Sequence, residues 1–276
     1  MTLNRFKVLK HFLFHNRNSV TNREMFVFFF DRSYRKKALA KISQIQNHDE
    51  YYEIILKDFN TPIYFPRDYK LETFYQVVVE SLYPNNWHYY ESNGTPVMPD
   101  DVVLDCGAAE GLFSFIVANR SKKVYAIEPS LDFIKCLQQT FRPFKNVEVV
   151  DCALSNREYK TTLKHNGIES SLNIETINKS GDISVMTLDH LIEIKNIRPS
   201  YIKMDLEGQD YAALEGAKET IFQYKPRIAV TTYHDINHAR QIKDLLHSIH
   251  PAYRIQTKGI YQETGSPIML HAVVES

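Results

Sequence analysis

Val102-Val103-Leu104-Asp105-Cys106-Gly107-Ala108-Ala109-Glu110-Gly111 carries an apolar run into an acid and a small-residue turn, and Leu112-Phe113-Ser114-Phe115-Ile116-Val117 opens a helix behind it. Strand, glycine turn and helix start in this order form the leading edge of a nucleotide-binding α/β unit. Gly107 and Gly111 permit backbone angles or close approaches that a Cβ would block. The turn can therefore press against a ligand, with the free N–H groups of the helix start aimed at it.

A dinucleotide site reads G-x-G-x-x-G, whose glycines admit a pyrophosphate. Here the pattern is D-x-G-A-x-x-G, with Asp105 at the first glycine position and Glu110 as a further acid. Two carboxylates repel a pyrophosphate but suit a cation with an amino group and a sulfonium, which points to S-adenosylmethionine. Candidate contacts are Asp105, Gly107, Ala108, Glu110, Gly111, Phe113 and Ser114. The plainer alternative is a capped strand-to-helix turn.

Lys123 to Ile127 reads as a second strand, ended by Glu128-Pro129. An acid about 20 positions past the glycine turn is placed to accept both ribose hydroxyls of an adenosine; the alternative is a carboxylate capping the helix at Ser130. Ribose binding is common to NAD enzymes, so the turn pattern, and not Glu128, selects the cofactor. A third strand, Val147 to Asp151, ends Asp151-Cys152-Ala153. An acid, or a loop carbonyl or N–H, can meet the adenine amino group there. Ligands of such sheets sit at the carboxyl ends of the strands, so Asp105, Glu128 and Asp151 are expected to converge on one crevice.

A second informative stretch is Tyr201-Ile202-Lys203-Met204-Asp205-Leu206-Glu207-Gly208, a fourth strand ending in two acids. Its helix is expected over 209–224, and a fifth strand, Arg227 to Tyr233, leads into His234-Asp235. With strands four and five flanking strand one, Lys203, Asp205, Glu207 and His234 would face the transferable group. Methyl transfer is an in-line displacement that gains mainly from positioning, and a weakly nucleophilic hydroxyl is helped by a base. His234 is the first candidate base, because imidazole titrates near neutral pH. Asp205 is the second, and Lys203 orients or neutralises the acids. A hydrogen-bonded strand end is the alternative for His234. Asp205, Glu207 and His234 could instead hold a divalent cation; no metal is predicted, since adjacent loop acids are more often solvated or capping.

Between these stretches, 156–187 is read as an inserted antiparallel flap, with short strands at Tyr159 to Leu163, Ser171 to Ile174 and Ile183 to Met186. Ser170 and Ser171 would touch the cofactor carboxylate or the acceptor. Thr187 caps the next helix. Beyond His234, a helix at 236–249 and strands at 253–258 and 267–274 close the sheet, the last one antiparallel.

Ahead of the core, residues 1–50 are basic, with aromatics interleaved, and read as helices at 4–14 and 22–46. This extension packs on the core or a second subunit, or offers a surface to a membrane or a polyanionic glycan. Residues 51–98 follow as a hairpin (Tyr51 to Lys57, Thr61 to Phe65), a helix (Leu71 to Leu82) and the aromatic run Trp87 to Tyr90, which either lines a substrate mouth or packs. The cofactor-binding domain is 99–276. The chain has 276 residues, 43% hydrophobic and 24% charged, with a net charge of zero. Neutrality gives the molecule no electrostatic reason to seek nucleic acid. Cys106, Cys136 and Cys152 lack metal-type spacing and read as reduced thiols of a cytoplasmic protein. No apolar run approaches the ~20 residues of a membrane span, and no secretory signal precedes the core.

The motifs D-C-G-A-A-E-G-L-F-S (105–114), I-E-P (127–129), C-A-L-S (152–155), T-L-D (187–189), K-M-D-L-E-G (203–208), E-G-A (215–217) and Y-H (233–234) together resemble the FkbM family of S-adenosylmethionine-dependent methyltransferases, over about 55–275. The resemblance implies an α/β, Rossmann-like class I methyltransferase fold. That fold is a doubly wound seven-stranded sheet with an antiparallel last strand, here with an N-terminal helical and hairpin extension. It also implies O-methylation of a sugar, glycan or natural-product hydroxyl. Two rivals stay open: a non-catalytic cofactor-binding or docking module of a glycan-assembly complex, and an NAD-dependent oxidoreductase. The extension leaves open a peripheral membrane or protein contact and the oligomeric state.

Overall fold

The computed structural model describes residues 4–31, 33–92, 94–164, 171–172 and 183–275. Helix α1 (Arg5–Phe14) starts where the Asn4 side chain accepts from the Lys7 N–H. Helix α2 (Asn22–Phe30) starts on a capping box, in which Thr21 and Glu24 satisfy each other's backbone donors. The expected helix at 22–46 is broken: α2 stops at Phe30, α3 spans Tyr34–Lys41, and β1 is Ile42–Asn47. A bulge at Ser43 explains the misreading. Ile42 pairs with Leu56 but Gln44 with Ile55, so Ile42 and Ile45 join one core cluster although three residues apart, a spacing that imitates a helix. β1, β2 (Tyr51–Leu56) and β3 (Ile63–Pro66) form an antiparallel sheet, and α4 (Leu71–Leu82) follows.

The core elements are β4 (Val102–Cys106), α5 (Leu112–Ala118), β5 (Lys123–Glu128), α6 (Leu131–Phe141) and β6 (Val147–Asp151). Short strands β7 (Ala153–Leu154), β8 (Tyr159–Thr161), β9 (Leu163–Lys164), β10 (Ser171–Leu172) and β11 (Ile183–Met186) lead to α7 (Leu188–Lys195) and β12 (Tyr201–Met204). Then come α8 (Asp210–Glu215), α9 (Lys218–Tyr224), β13 (Arg227–Thr231), α10 (His238–Ile249), β14 (Tyr253–Lys258) and β15 (Met269–Val274).

Seven strands make one sheet in the order β14-β15-β13-β12-β4-β5-β6. Only β15 runs against its neighbours, β13 and β14. The sheet is doubly wound, with the seven strands and the antiparallel last strand that the resemblance implies. One expectation changes: β4 is flanked by β12 and β5, and β13 lies beyond β12. The inserted segment is also mixed, since β11 pairs parallel with β7 and antiparallel with β8. Ser170 falls outside the described residues; Ser171 pairs with Lys164 through the β9–β10 ladder. The helix expected at 209–224 is two helices, interrupted at Gly216-Ala217, where a Cβ on Gly216 would lie 2.2 Å from the Ser155 carbonyl oxygen.

Both faces of the sheet are covered. One cluster joins Ile202, Met204, Leu214, Ile228 and Leu246. The other joins Ile54, Phe65, Phe74, Leu112, Phe115 and Leu137, which fastens β1–β3 and α4 to the core. The extension is fastened separately, with Val8, Phe12, Val20 and Met25 packed on Trp87 and Ile260. Polar ties reinforce it: Asn4 N–H donates to Gln262 Oε1 (2.6 Å), Asn18 Nδ2 donates to the Gly265 carbonyl (3.0 Å), and Lys258 pairs with Glu24 (2.5 Å).

Candidate active site

A cavity of about 1170 Å³ opens at the carboxyl ends of the parallel strands, lined on one side by Gly107, Ala108, Ala109 and Glu110. The turn carrying these residues is held from beneath. Gly107 has φ +77°, and a Cβ there would lie 2.0 Å from the Asp205 carbonyl oxygen. Gly111 has φ +76°, and its Cβ would lie 2.4 Å from Leu137 Cδ2. These glycines let strand β12 and helix α6 pack against the turn. Lys203 Nζ donates to the Gly107 carbonyl (2.6 Å) and pairs with Asp105 Oδ1 (2.9 Å), while Ser114 Oγ donates to Asp105 Oδ2 (2.7 Å).

Asp105 is fully buried and lies outside the cavity lining, contrary to the expectation that it faces the ligand. Its carboxylate is the buried anchor of the turn, and Lys203 is its counter-ion. Burial would lower the Lys203 pKa, but the charges of Asp105 and Asp205 raise it above the ordinary lysine value. Gly111, Phe113 and Ser114 also lie outside the lining. The Phe113 ring packs between Tyr90 (5.3 Å) and Tyr201 (6.0 Å).

Glu128 ends β5 inside the cavity, with Pro129 beside it. Its Oε2 accepts the Ala109 N–H and its Oε1 the Ser130 N–H, both at 2.9 Å, so it fixes the turn to the start of α6. Burial raises its pKa to about 7, against the pull of those two bonds. Burial also raises Glu110 to about 7. Ser130 lines the cavity, and its hydroxyl is buried with no hydrogen-bond partner. Cys152 and Ala153 line the cavity as expected, but Asp151 does not. Strand β6 is the sheet edge, which leaves Asp151 exposed at its end. Of the three acids expected to converge, only Glu128 reaches the cavity.

The far side of the cavity centres on Asp205. Its Oδ2 accepts from Tyr90 OH (2.9 Å), with His88 Nε2 at 3.8 Å. Its Oδ1 accepts from Thr231 Oγ1 (3.1 Å) and lies 3.4 Å from His234 Nε2. His234 Nδ1 lies 3.5 Å from Glu207 Oε2, so the imidazole bridges two carboxylates. Burial would raise Asp205, but the His234 hydrogen bond and the charges of His88 and Lys203 hold it far below the carboxylate range. Burial would lower His234, but the hydrogen bond and charge of Asp205, with Asp210 and Glu207 behind, raise it to about 9. The near-neutral imidazole expected from the sequence is thus an imidazolium at neutral pH. Beneath, Asp210 accepts the Leu206 N–H (2.9 Å) and is raised by burial to about 6.

The sequence reading missed several residues here. Tyr90 and His88 were visible only as part of an aromatic run. Glu80, whose Oε2 lies 3.9 Å from His88 Nδ1, comes from the far end of α4. Tyr233, whose ring centre is 4.1 Å from that of His234, carried a signal only through the Y-H pair. Among the described residues, no group of three or more His, Cys, Asp or Glu side chains is arranged to hold a metal ion.

Residues 105–253 match the methyltransferase FkbM domain. The chain belongs to that family. A methyltransferase FkbM from Methylobacillus flagellatus KT has the same fold, with a TM-score of 0.52 at 22% identity over 75% of this chain and 56% of that one. The ribosomal RNA small subunit methyltransferase A of Alkaliphilus metalliredigens (strain QYMF) is 34% identical over 59 residues, 21% of either chain. The chain thus spans about a fifth of the one relative and just over half of the other. The cofactor of an FkbM domain is S-adenosylmethionine, and the cavity fits it. Glu128 offers a polar group to an adenosine, and Glu110 and Asp205 would set anions beside a positive charge. No described helix is long and apolar enough to cross a membrane.

Proposed function

We propose that this FkbM domain methylates a hydroxyl oxygen of a sugar, glycan or related natural product. The observation that carries the reading is the imidazole of His234 held between Asp205 and Glu207, with the Tyr233 ring 4.1 Å away at a 35° tilt. S-adenosylmethionine, when bound, supplies an electrophilic methyl group. Glu128 would take the ribose hydroxyls, Cys152 and Ala153 would hold the adenine, and Glu110 would hold the amino acid portion. Lys203 is a positioning residue: it pulls the Gly107 carbonyl and Asp105 together and so sets the shape of the turn.

Asp205 is a poor base, because its carboxylate is strongly stabilised as the anion, but it orients His234. With a pKa of about 9, His234 holds a proton in the free protein. A positive charge held beside Asp205 and Glu110 would lower the proton affinity of His234 and favour its neutral form. Neutral His234 then accepts the proton of an acceptor hydroxyl. Tyr90, His88 and Tyr233 offer flat faces around that position, and Glu207 and Gln209 offer acceptors, which suits a ring bearing several hydroxyls.

The extension favours a second feature of the reading, a peripheral contact with an anionic membrane surface in a cytoplasmic setting. Phe6, Phe14, Phe26 and Phe30 are exposed on α1 and α2 beside the exposed cations Lys10, Arg23, Arg35 and Lys36. The central test is calorimetric titration with S-adenosylmethionine, followed by a screen of sugars and glycolipids that reads S-adenosylhomocysteine release. His234→Ala should lower turnover by about 100-fold or more, in keeping with loss of a general base, with cofactor affinity nearly unchanged. Cofactor binding without release from any hydroxyl acceptor would favour the docking-module reading.

A further inference from the structure

We infer that His88 and the remaining lone pair of Asp205 Oδ2 seat a second hydroxyl of the acceptor, beside the one that is methylated, so that the substrate is a diol. This inference rests on the sugar reading above and narrows it.

His88 comes from the aromatic run before β4 and lines the active-site cavity. It is only 7% exposed. Its Nδ1 lies 3.9 Å from Glu80 Oε2 and its Nε2 lies 3.8 Å from Asp205 Oδ2, both beyond hydrogen-bond reach. Neither ring nitrogen is therefore bonded within the protein. Nδ1 is sealed from solvent. Nε2 is not, and it is the nitrogen that faces Asp205. A buried imidazole with neither nitrogen bonded is unfavourable, and such a group in a native fold calls for a partner.

Asp205 has one acceptor position left at the same place. A carboxylate oxygen has two lone pairs. Oδ1 uses both, on Thr231 Oγ1 (3.1 Å) and His234 Nε2 (3.4 Å). Oδ2 uses one, on Tyr90 OH (2.9 Å). One oxygen atom at about 2.8 Å from each end spans the 3.8 Å between Oδ2 and His88 Nε2.

The two walls choose the group. Asp205 stays an anion and only accepts. A hydroxyl donates its proton to Asp205 and accepts from the His88 Nε2–H. Carboxylates and phosphates cannot donate, and the Asp205 charge repels them. A methylene leaves both walls unpaired. Position ties the seat to the reaction, because Asp205 carries His234 on one oxygen and the seat on the other. Tyr233 neighbours both imidazoles, with ring centres 4.1 Å from His234 and 5.8 Å from His88. Two hydroxyls of one sugar ring can thus flank one carboxylate.

The test uses the full chain and the methyl glycosides of glucose, galactose, mannose, rhamnose and N-acetylglucosamine, read by S-adenosylhomocysteine release. For each sugar that is methylated, analogues lacking one of the other hydroxyls are compared with the parent. One deoxy position should lower kcat/KM by about 10- to 100-fold, the worth of a hydrogen bond to a charged group. His88→Phe and the shorter His88→Asn should treat that analogue and the parent alike. His88→Gln, whose amide nitrogen takes the place of Nε2, should keep the discrimination. Calorimetry should give the same S-adenosylmethionine affinity in all four proteins. A wild type indifferent to every deoxy position would mean that the seat holds water only and would overturn the inference. So would a penalty that His88→Phe and His88→Asn retain; in both cases the sugar reading stands. Lost cofactor affinity in His88→Asn at an unchanged melting temperature would assign the seat to the cofactor and overturn the inference as well. Release from none of the sugars would overturn the sugar reading and this inference with it.

Discussion

Replacing Asp205 with Asn tests the arrangement at the reacting centre. The substitution keeps the size of the side chain and one oxygen, but removes the charge that faces His234. In the wild type that charge, with the Asp205 hydrogen bond, overcomes burial and lifts His234 to about 9. Without it burial is opposed only by the charges of Asp210 and Glu207, and His234 should titrate well below about 9. The full rise from 6.5 to about 9 is worth about 3 kcal/mol, the upper bound on what Asp205 supplies. Only 12% of the His234 side chain is exposed, so solvent screening removes little of this. The folded pKa lies above the unfolded one. The stabilisation is therefore complete below about pH 6.5 and is lost as pH rises through about 9. Melting temperatures taken from about pH 6 to 9.5 should fall in the wild type by up to roughly 6–12 °C more than in Asp205→Asn. Glu110 and Glu128 titrate in both proteins, whereas Asp210, which the Asp205 charge helps to raise to about 6, titrates lower in the variant. Imidazole NMR gives the His234 pKa directly. A wild-type His234 that titrates near 6.5, or an identical pH slope in the two proteins, would refute the reasoning.

Lys203→Met strands the buried Asp105 carboxylate and should cost about 3–5 kcal/mol in denaturant unfolding; Asp105→Asn in the same chain should recover most of that loss. Gly107→Ala drives a Cβ to within 2.0 Å of the Asp205 carbonyl at a positive φ and should cost more than about 2 kcal/mol, together with cofactor affinity. Gly208→Ala is the control, since its nearest atom would lie 3.7 Å away and only the φ of +94° is unfavourable, a loss of about 1 kcal/mol by melting. Glu128→Gln should weaken S-adenosylmethionine binding by about 10- to 100-fold in calorimetry, the worth of a hydrogen bond to a charged group. In the wild type that affinity should climb as pH rises through about 7, where Glu128 and Glu110 ionise, and the variant keeps only the Glu110 part of that slope.

What was legible in the sequence was what short-range chemistry dictates. The turn at 105–111 and the succession of strands and helices follow from local backbone preference and local apolar patterning, and they are found where the sequence puts them. Failures came where a distant group decides. Ile42 and Ile45 share a face because of a bulge opposite β2. Helix 209–224 breaks because Ser155 crosses at Gly216. Asp105 turns beneath the loop because Lys203 and Ser114 hold it there, and Asp151 stays in solvent because β6 is an edge. The proton affinity of His234 was equally invisible, since it depends on a carboxylate 29 residues away that Tyr90, from another 115 residues off, also holds.

The ties between the extension and the 258–265 stretch join residues separated by 234 to 258 positions. Closing so long a loop carries a large entropy cost, so these contacts form after the β14–β15 hairpin they rest on. The extension is thus the last piece to dock in folding and the first to open in native-state fluctuations. Helix α2 contributes no residue to the lining of the active-site cavity, only to that of a separate cavity beside Trp87 and Ile260, so its opening spares the turn, Glu128 and His234. Amide hydrogen exchange should show α1 and α2 exchanging through openings well below the free energy of global unfolding, with β4, β5 and β12 protected to the limit. In mild denaturant the protein should pass through a form that still binds its cofactor after the wall contributed by α2 has been lost.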